Sequence, residues 1–244
     1  MDPPPSTTKA ELSADATWPA EESLSLGPWR LRANRGYTNR ANSVRTACRQ
    51  PGNCDWDELM ARAEEFYRDR NLPPIFHVTA ASAPCDLDRR LAERGYRVEK
   101  SSNVWSADSM ALCVGIALPD SNAELAGSNS PTEDWLRCDP HPERADSLGQ
   151  LCRRIPEPRI FVSVLDSNRT VARALSAIHG GIAWLYCMAT LPSHKRRGHA
   201  TRSVQFLAEW AVRNDASAFY LQVMADNAAA KSLYTRCGFR RRYG

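Results

Sequence analysis

Apolar residues recur every three or four positions through "DWDELMARAEEFYRDRN", with Leu59, Ala63, Phe66 and Tyr67 on one side, and this spacing predicts an amphipathic helix. Before it, "GPWRLRANRGYTNRANSV" reads as two short strands around Arg35 and Gly36. After it, "IFHVTA" is a candidate strand, "CDLDRRLAERGY" a helix closed by Gly95, and "RVEKSSNVWSAD" another strand. Strands and helices alternate, an α+β pattern.

The alternation returns downstream. "DSLGQLCRRI" is helical, "RIFVSVLD" and "VARALSAIHGG" are strands meeting near Asp166, Ser167 and Asn168, and "IAWLYCMATL" is a longer apolar strand. A helix with Val204, Leu207, Ala208 and Ala211 at i, i+3, i+4 and i+7 comes next, then the buried strand "AFYLQVMA" and the helix "NAAAKSLYTRCGF", stopped at Gly238. Between the halves, residues 118–133 gather Asn, Ser, Gly, Pro and acidic residues without period, which predicts a linker. Residues 1–22 are rich in Pro, Ser, Thr and acid and read as a disordered tail. "LAERGYR" and "YTRCGFR" line up Gly95 with Gly238 and Tyr96 with Phe239, a short echo consistent with duplication. The expected units are therefore residues 23–117 and 134–244.

Composition fits this division. The chain's 244 residues suffice for two domains of about 100 residues, and 43% hydrophobic residues can build a core without a metal or disulfide scaffold. No stretch approaches the ~18 to 20 apolar residues of a membrane helix. The polar, acidic start resembles neither a secretory signal nor a transit peptide, so a cytoplasmic location is expected. The cysteines at 48, 54, 85, 113, 138, 152, 187 and 237 lack CxxC or zinc-ligand spacing, so no metal is expected and most read as small core residues. A net charge of +4 is too small and dispersed for a nucleic-acid binder. Positive charge gathers at 194–197 and 240–242, which points to local anions.

The first cluster opens a helix. A helix N-terminus presents unpaired amides and a partial positive charge suited to a phosphate oxygen. Gly198 has no side chain to block the approach, Ala200 obstructs little, and His194, Lys195, Arg196, Arg197 and Arg202 add an attractive field. Neither GxxxxGK[ST] nor GxGxxG is present, which argues against a nucleotide triphosphatase or a dinucleotide enzyme.

"ATLPSHKRRGHAT" resembles the acyl-CoA-binding motif of the GNAT superfamily of N-acetyltransferases, [QR]-x-x-G-x-[GA], with Lys195 in place of Gln or Arg and Gly198 and Ala200 matching. "LQVMADNAAAKSLYTRCGF" is similar to the family's second motif, with Asn227 and Tyr234 seven apart. The resemblance implies a mixed-sheet α/β fold of the GNAT type, in two tandem GNAT-like domains. It implies that the amides of Arg196, Arg197, Gly198, His199, Ala200 and Thr201 hold the CoA diphosphate beside Lys195. The backbone of Met188, Ala189 and Thr190 would pair with the pantetheine arm as an added strand and polarise the thioester carbonyl. Asn227 would hydrogen-bond the cofactor and Tyr234 would protonate the departing thiolate.

Several of these residues have a second role open to them. Asn227 can cap "AAAKSLY", and Tyr234 can be a core aromatic. His179 reads as a turn residue, His194 and His199 as solvent-facing, and Cys187 as core. The family's carboxylate base is missing from "IAWLYCMAT". The first half lacks the diphosphate motif and has Leu91 in the place of Tyr234, so it reads as a degenerate copy that shapes the acceptor site. The family's last strand would run on beyond Gly244, which implies a shortened edge strand or a truncation. The function expected is acetyl transfer from acetyl-CoA to a primary amine, most readily that of a small molecule, by direct attack in a monomer or homodimer. A protein amine as acceptor, or a non-catalytic acyl-CoA sensor, is the alternative.

Overall fold

The computed structural model describes residues 5–47, 54–117 and 123–244. Cys48 and residues 1–4 and 118–122 of the expected tail and linker lie outside them. The chain divides into two compact units, residues 5–100 with Tyr243 and Gly244, and residues 101–242.

In the first unit, helix α1 (Thr7–Thr17) precedes strands β1 (Glu22–Leu26), β2 (Trp29–Ala33) and β3 (Val44–Arg45), helix α2 (Trp56–Arg68), strand β4 (Phe76–His77) and helix α3 (Leu87–Glu93). The sheet runs β1-β2-β3-β4, with only β3 and β4 parallel. Helix α2 buries the predicted face, and the Tyr67 hydroxyl donates to the Arg32 carbonyl at 2.9 Å. The hairpin turns at Gly27 and Pro28, between Leu26 and Trp29, and not at Arg35 and Gly36.

The expected disordered tail is instead a helix over Thr7–Thr17, capped by the Ser6 side chain. Its buried residues are Ala10, Glu11, Ser13, Ala14 and Thr17, so it has no apolar stripe to betray it. Ion pairs hold it: Glu11 meets Arg45, and Asp15 meets Arg32 at 2.6 Å. Tyr243 donates to Glu11 at 2.8 Å, and Arg45 contacts the His77 ring at 2.7 Å.

In the second unit, strand β5 (Ser102–Asp108) and helix α4 (Ser109–Gly115) are followed by β6 (Glu124–Ser128), α5 (Glu133–Arg137) and α6 (Ala145–Arg154). Next come strands β7 (Arg159–Asp166), β8 (Arg169–His179) and β9 (Ile182–Thr190), helix α7 (His199–Arg213), β10 (Ala218–Met224), α8 (Ala228–Arg236) and β11 (Arg240–Tyr243). The seven-stranded sheet runs β11-β5-β10-β9-β8-β7-β6. The sequence places β5 with the first half, yet it lies between β10 and β11, paired antiparallel to β10 from Asp108 opposite Ala218 to Ser102 opposite Met224.

Strand β6 lies inside the expected linker. It pairs with β7 as an edge strand, and such edges carry polar residues because one flank faces water. Its Gly127 is a packing requirement, since a Cβ there would stand 2.8 Å from Ile160 and 3.2 Å from Phe206. On α7, Val204, Leu207, Ala208 and Ala211 are fully buried against the sheet, the Val and Leu side chains each contributing about 1.5–3 kcal/mol. Trp135 of α5 donates its indole N–H to the Val162 carbonyl at 3.0 Å and sets its ring edge-on to Phe161. The Arg173 guanidinium lies 4.6 Å above that ring and ion-pairs with Asp139.

Candidate functional site

Strand β9 has two different flanks. Beside β8 it is paired along its length, whereas its parallel ladder with β10 covers Ile182–Leu185 against Ala218–Leu221 and stops there. Strand β10 continues to Met224 in company with β5. Beyond Leu185, β9 and β10 therefore part, and exposure rises from Cys187 to Thr190. At the parting, β9 carries one residue more than β8 between Tyr186 and Ala189, and Cys187 is left-handed at φ 53°. Such a bulge bends the strand and re-aims its amides. Met188, Ala189 and Thr190 thus lie on a bent strand end that can accept an extended ligand as one more strand. Cys187 is half-buried in that bulge and not a core residue.

The strand leads through a 3-10 turn at Pro192–His194 into α7. Arg196 (φ 64°) and Gly198 (φ 79°) are both left-handed, the second at a position where a side chain would be strained. Gly198 caps α7 without a side chain, and the first backbone bond into the helix runs from the Arg202 amide to the Gly198 carbonyl at 3.1 Å. The amides of Gly198, His199, Ala200 and Thr201 therefore open the helix ahead of that bond and concentrate its positive end. Lys195, Arg196 and Arg197 are exposed around them.

Four side chains of this turn have surroundings or partners that the sequence reading did not give them. His199 is buried, at 5% exposure, and neither ring nitrogen has a hydrogen-bond partner. His194 is half-buried and pairs through Nε2 with Asp166 at 3.3 Å. Arg202 donates to the Ala123 carbonyl, which turns its charge to holding the turn against the start of β6, and Arg197 donates to the Ser193 carbonyl at 3.1 Å.

Asn227 and Tyr234 lie on the helix after β10. The Asn227 side chain accepts from the Ala230 amide at 3.0 Å, so it is the cap of α8, and its amide nitrogen is what it can offer a ligand. Tyr234 is 6% exposed, with its ring 5.7 Å from Phe239 in an edge-on contact. Burial, and then Cys237, raise its phenol above the ordinary value, so it stays protonated at neutral pH and does not act as a base. Both roles open to Asn227 and Tyr234 are therefore partly filled by structure.

Of the described cysteines, Cys138, Cys152 and Cys237 are buried, Cys54, Cys113 and Cys187 half-buried, and Cys85 exposed, so fewer fill the core than the sequence suggests. Among the described residues, no group of three or more His, Cys, Asp or Glu side chains could hold a metal ion, and no helix is long and apolar enough to cross a membrane. The donors at the turn suit a diphosphate: main-chain N–H groups, a left-handed glycine, and the unpartnered imidazole of the first helical residue.

A family model described as the C-terminal part of the probable histone acetyltransferase Rv0428c matches residues 7–244. The uncharacterized N-acetyltransferase YobR of Bacillus subtilis (strain 168) is 32% identical over 237 residues, 95% of this chain and 93% of its own. Among solved structures, a GCN5-related N-acetyltransferase from Kribbella flavida superposes with a TM-score of 0.69 at 14% identity, covering 97% of this chain and 92% of its own. A tandem GNAT protein from the clavulanic acid biosynthesis pathway gives 0.65 at 14% identity, over 82% and 72%. Both share the fold.

Proposed function

Because the chain belongs to the GNAT superfamily of N-acetyltransferases, in the family described as the C-terminal part of the probable histone acetyltransferase Rv0428c, we propose that it moves an acetyl group from acetyl-CoA to a primary amine by direct attack in a ternary complex. One observation carries this reading. A strand flank that loses its ladder partner after Leu185 runs into a turn with left-handed Arg196 and Gly198 and the opening amides of α7. A long ligand with an anionic head and an extended arm fits that sequence of donors.

In this reading the amides from Arg196 to Thr201 grip the diphosphate, with Lys195, Arg196 and Arg197 supplying the field that draws it in. The backbone of Met188, Ala189 and Thr190 aligns the pantetheine arm, and one amide there polarises the carbonyl as negative charge develops on its oxygen. The Asn227 amide nitrogen donates to the cofactor. Tyr234 gives its phenolic proton to the departing thiolate as negative charge develops on the sulfur beside it. Since β9 has no carboxylate, deprotonation of the amine falls to a residue elsewhere, to a water chain or to solution before binding, and positioning lowers the barrier. The first unit has no diphosphate motif and acts as a degenerate copy without a cofactor of its own.

The acceptor we put first is a small-molecule amine, on the strength of the two-part organisation of the chain. A protein amine is the second reading, favoured by the histone acetyltransferase named in the family description. Thiol release from acetyl-CoA, measured with a panel of small amines and with lysine-containing peptides, separates the two. Binding of acetyl-CoA with no thiol released by any amine would overturn the enzymatic reading and leave a sensor.

A further inference from the structure

The turn before α7 contains a side chain that the backbone argument does not use. His199 is 5% exposed with both ring nitrogens unpartnered, and a buried polar group in that state costs about 1–3 kcal/mol. Native structures tolerate such groups where a ligand completes them. The Cβ of a helical residue tilts toward the helix N-terminus, which directs this imidazole back toward the turn that precedes α7. The charged groups facing it are Asp166 at the end of β7, His194 of the 3-10 turn, Arg197 of the loop and Arg202 of α7. Asp166 is already paired with His194.

We propose that the His199 imidazole is a ligand of the cofactor's diphosphate and takes up one proton when that anion arrives. The proposal rests on the reading that this turn holds acyl-CoA. Before binding, burial and then the charges of His194, Arg197 and Arg202 push the ring below its ordinary value of 6.5, against the pull of Asp166, so it is neutral at physiological pH. An anion in the turn offsets those positive charges and accepts hydrogen bonds from the protonated ring, and both effects favour imidazolium. One ring nitrogen accepts a proton from solvent, and no other bond changes. Affinity therefore rises as pH falls from the bound-state value to the lower free-state value, and is flat outside that window.

The test is calorimetric, with 3′-dephospho-coenzyme A as the probe, because a phosphate monoester titrates near pH 6 and would obscure the protein's proton. Binding is measured at pH 6, 7 and 8 in buffers of different ionisation enthalpy, for the parent, His199→Asn and His194→Asn. The parent is expected to take up a proton and to bind about 10-fold more tightly at pH 6 than at pH 8, and His194→Asn to keep proton uptake with a smaller pH dependence, because one charge that depresses the free ring is gone. His199→Asn keeps a donor that cannot titrate, so it binds with no proton uptake and no pH dependence. Should that variant fail to fold, His199→Gln makes the same comparison. Binding by the parent without proton uptake, or unchanged uptake in the His199 variant, overturns this proposal alone. No binding by the parent at any pH overturns the cofactor reading, and this proposal with it.

Discussion

Replacing Glu11 by alanine should release helix α1. The carboxylate is 1% exposed, ion-pairs with Arg45, itself 5% exposed, and accepts from the Tyr243 hydroxyl. Removing one partner of a buried pair costs about 3–5 kcal/mol because the other charge is left uncompensated. The lost Tyr243 bond adds about 1 kcal/mol. The chain has a cheaper escape than global unfolding: α1 buries small side chains, and its departure lets water reach Arg45. The loss should therefore appear locally, capped by the docking free energy of α1. Hydrogen exchange read across Ala10–Thr17 is the fitting assay, and a loss near 4 kcal/mol corresponds to roughly 10³-fold faster exchange. Glu11→Gln keeps the shape and an acceptor, and should fall between parent and alanine variant. Leu12→Ala, at a half-exposed position on the same helix, serves as the control. If Glu11→Ala changes exchange in α1 by less than about 3-fold, the ion pair does not hold the helix and the reasoning fails.

Acid should act on the same cluster. Burial alone would raise the Glu11 carboxyl, but Arg45, His77 and the Tyr243 hydroxyl together hold it below 4.5, so its stabilisation is complete above that pH and is lost as pH falls through the lower folded value. His77 is pushed down to about 3, by burial first and then by Arg45, so the unfolded chain binds its proton first. Stability should drop by about 2 kcal/mol between pH 7 and pH 5, and His77→Gln should remove that part of the slope in urea titrations; an identical slope in the variant would refute the assignment. Tyr234→Phe should lower kcat by about 10²-fold or more while acetyl-CoA affinity changes little, and an unaltered kcat would dismiss the phenol as proton donor. Gly198→Asp puts a side chain at φ 79° and a negative charge at the mouth of α7, and should weaken coenzyme A binding at least ~10-fold by calorimetry; unchanged affinity would remove the diphosphate from this turn.

Wherever the chain repeats apolar residues at a fixed period, the sequence was enough. The buried faces of α2 and α7, the hairpin turn at Ser167 and Asn168, and the Gly198 turn could all be read from it, because local chemistry dictates them within a few residues. Helix α1 could not be read, since its attachment consists of ion pairs to Arg32 and Arg45, more than ten residues away in sequence. Strand β6 looked like a linker because an edge strand needs only one paired flank. The placing of β5 beside β10, the end of the β9–β10 ladder at Leu185, and the burial of His199 depend on which segments meet. Local periodicity reports the face a segment buries. The partner it buries that face against is settled by long-range pairing, and here that pairing decided where the bent end of β9 opens and that His199 is buried at the start of the helix that follows it.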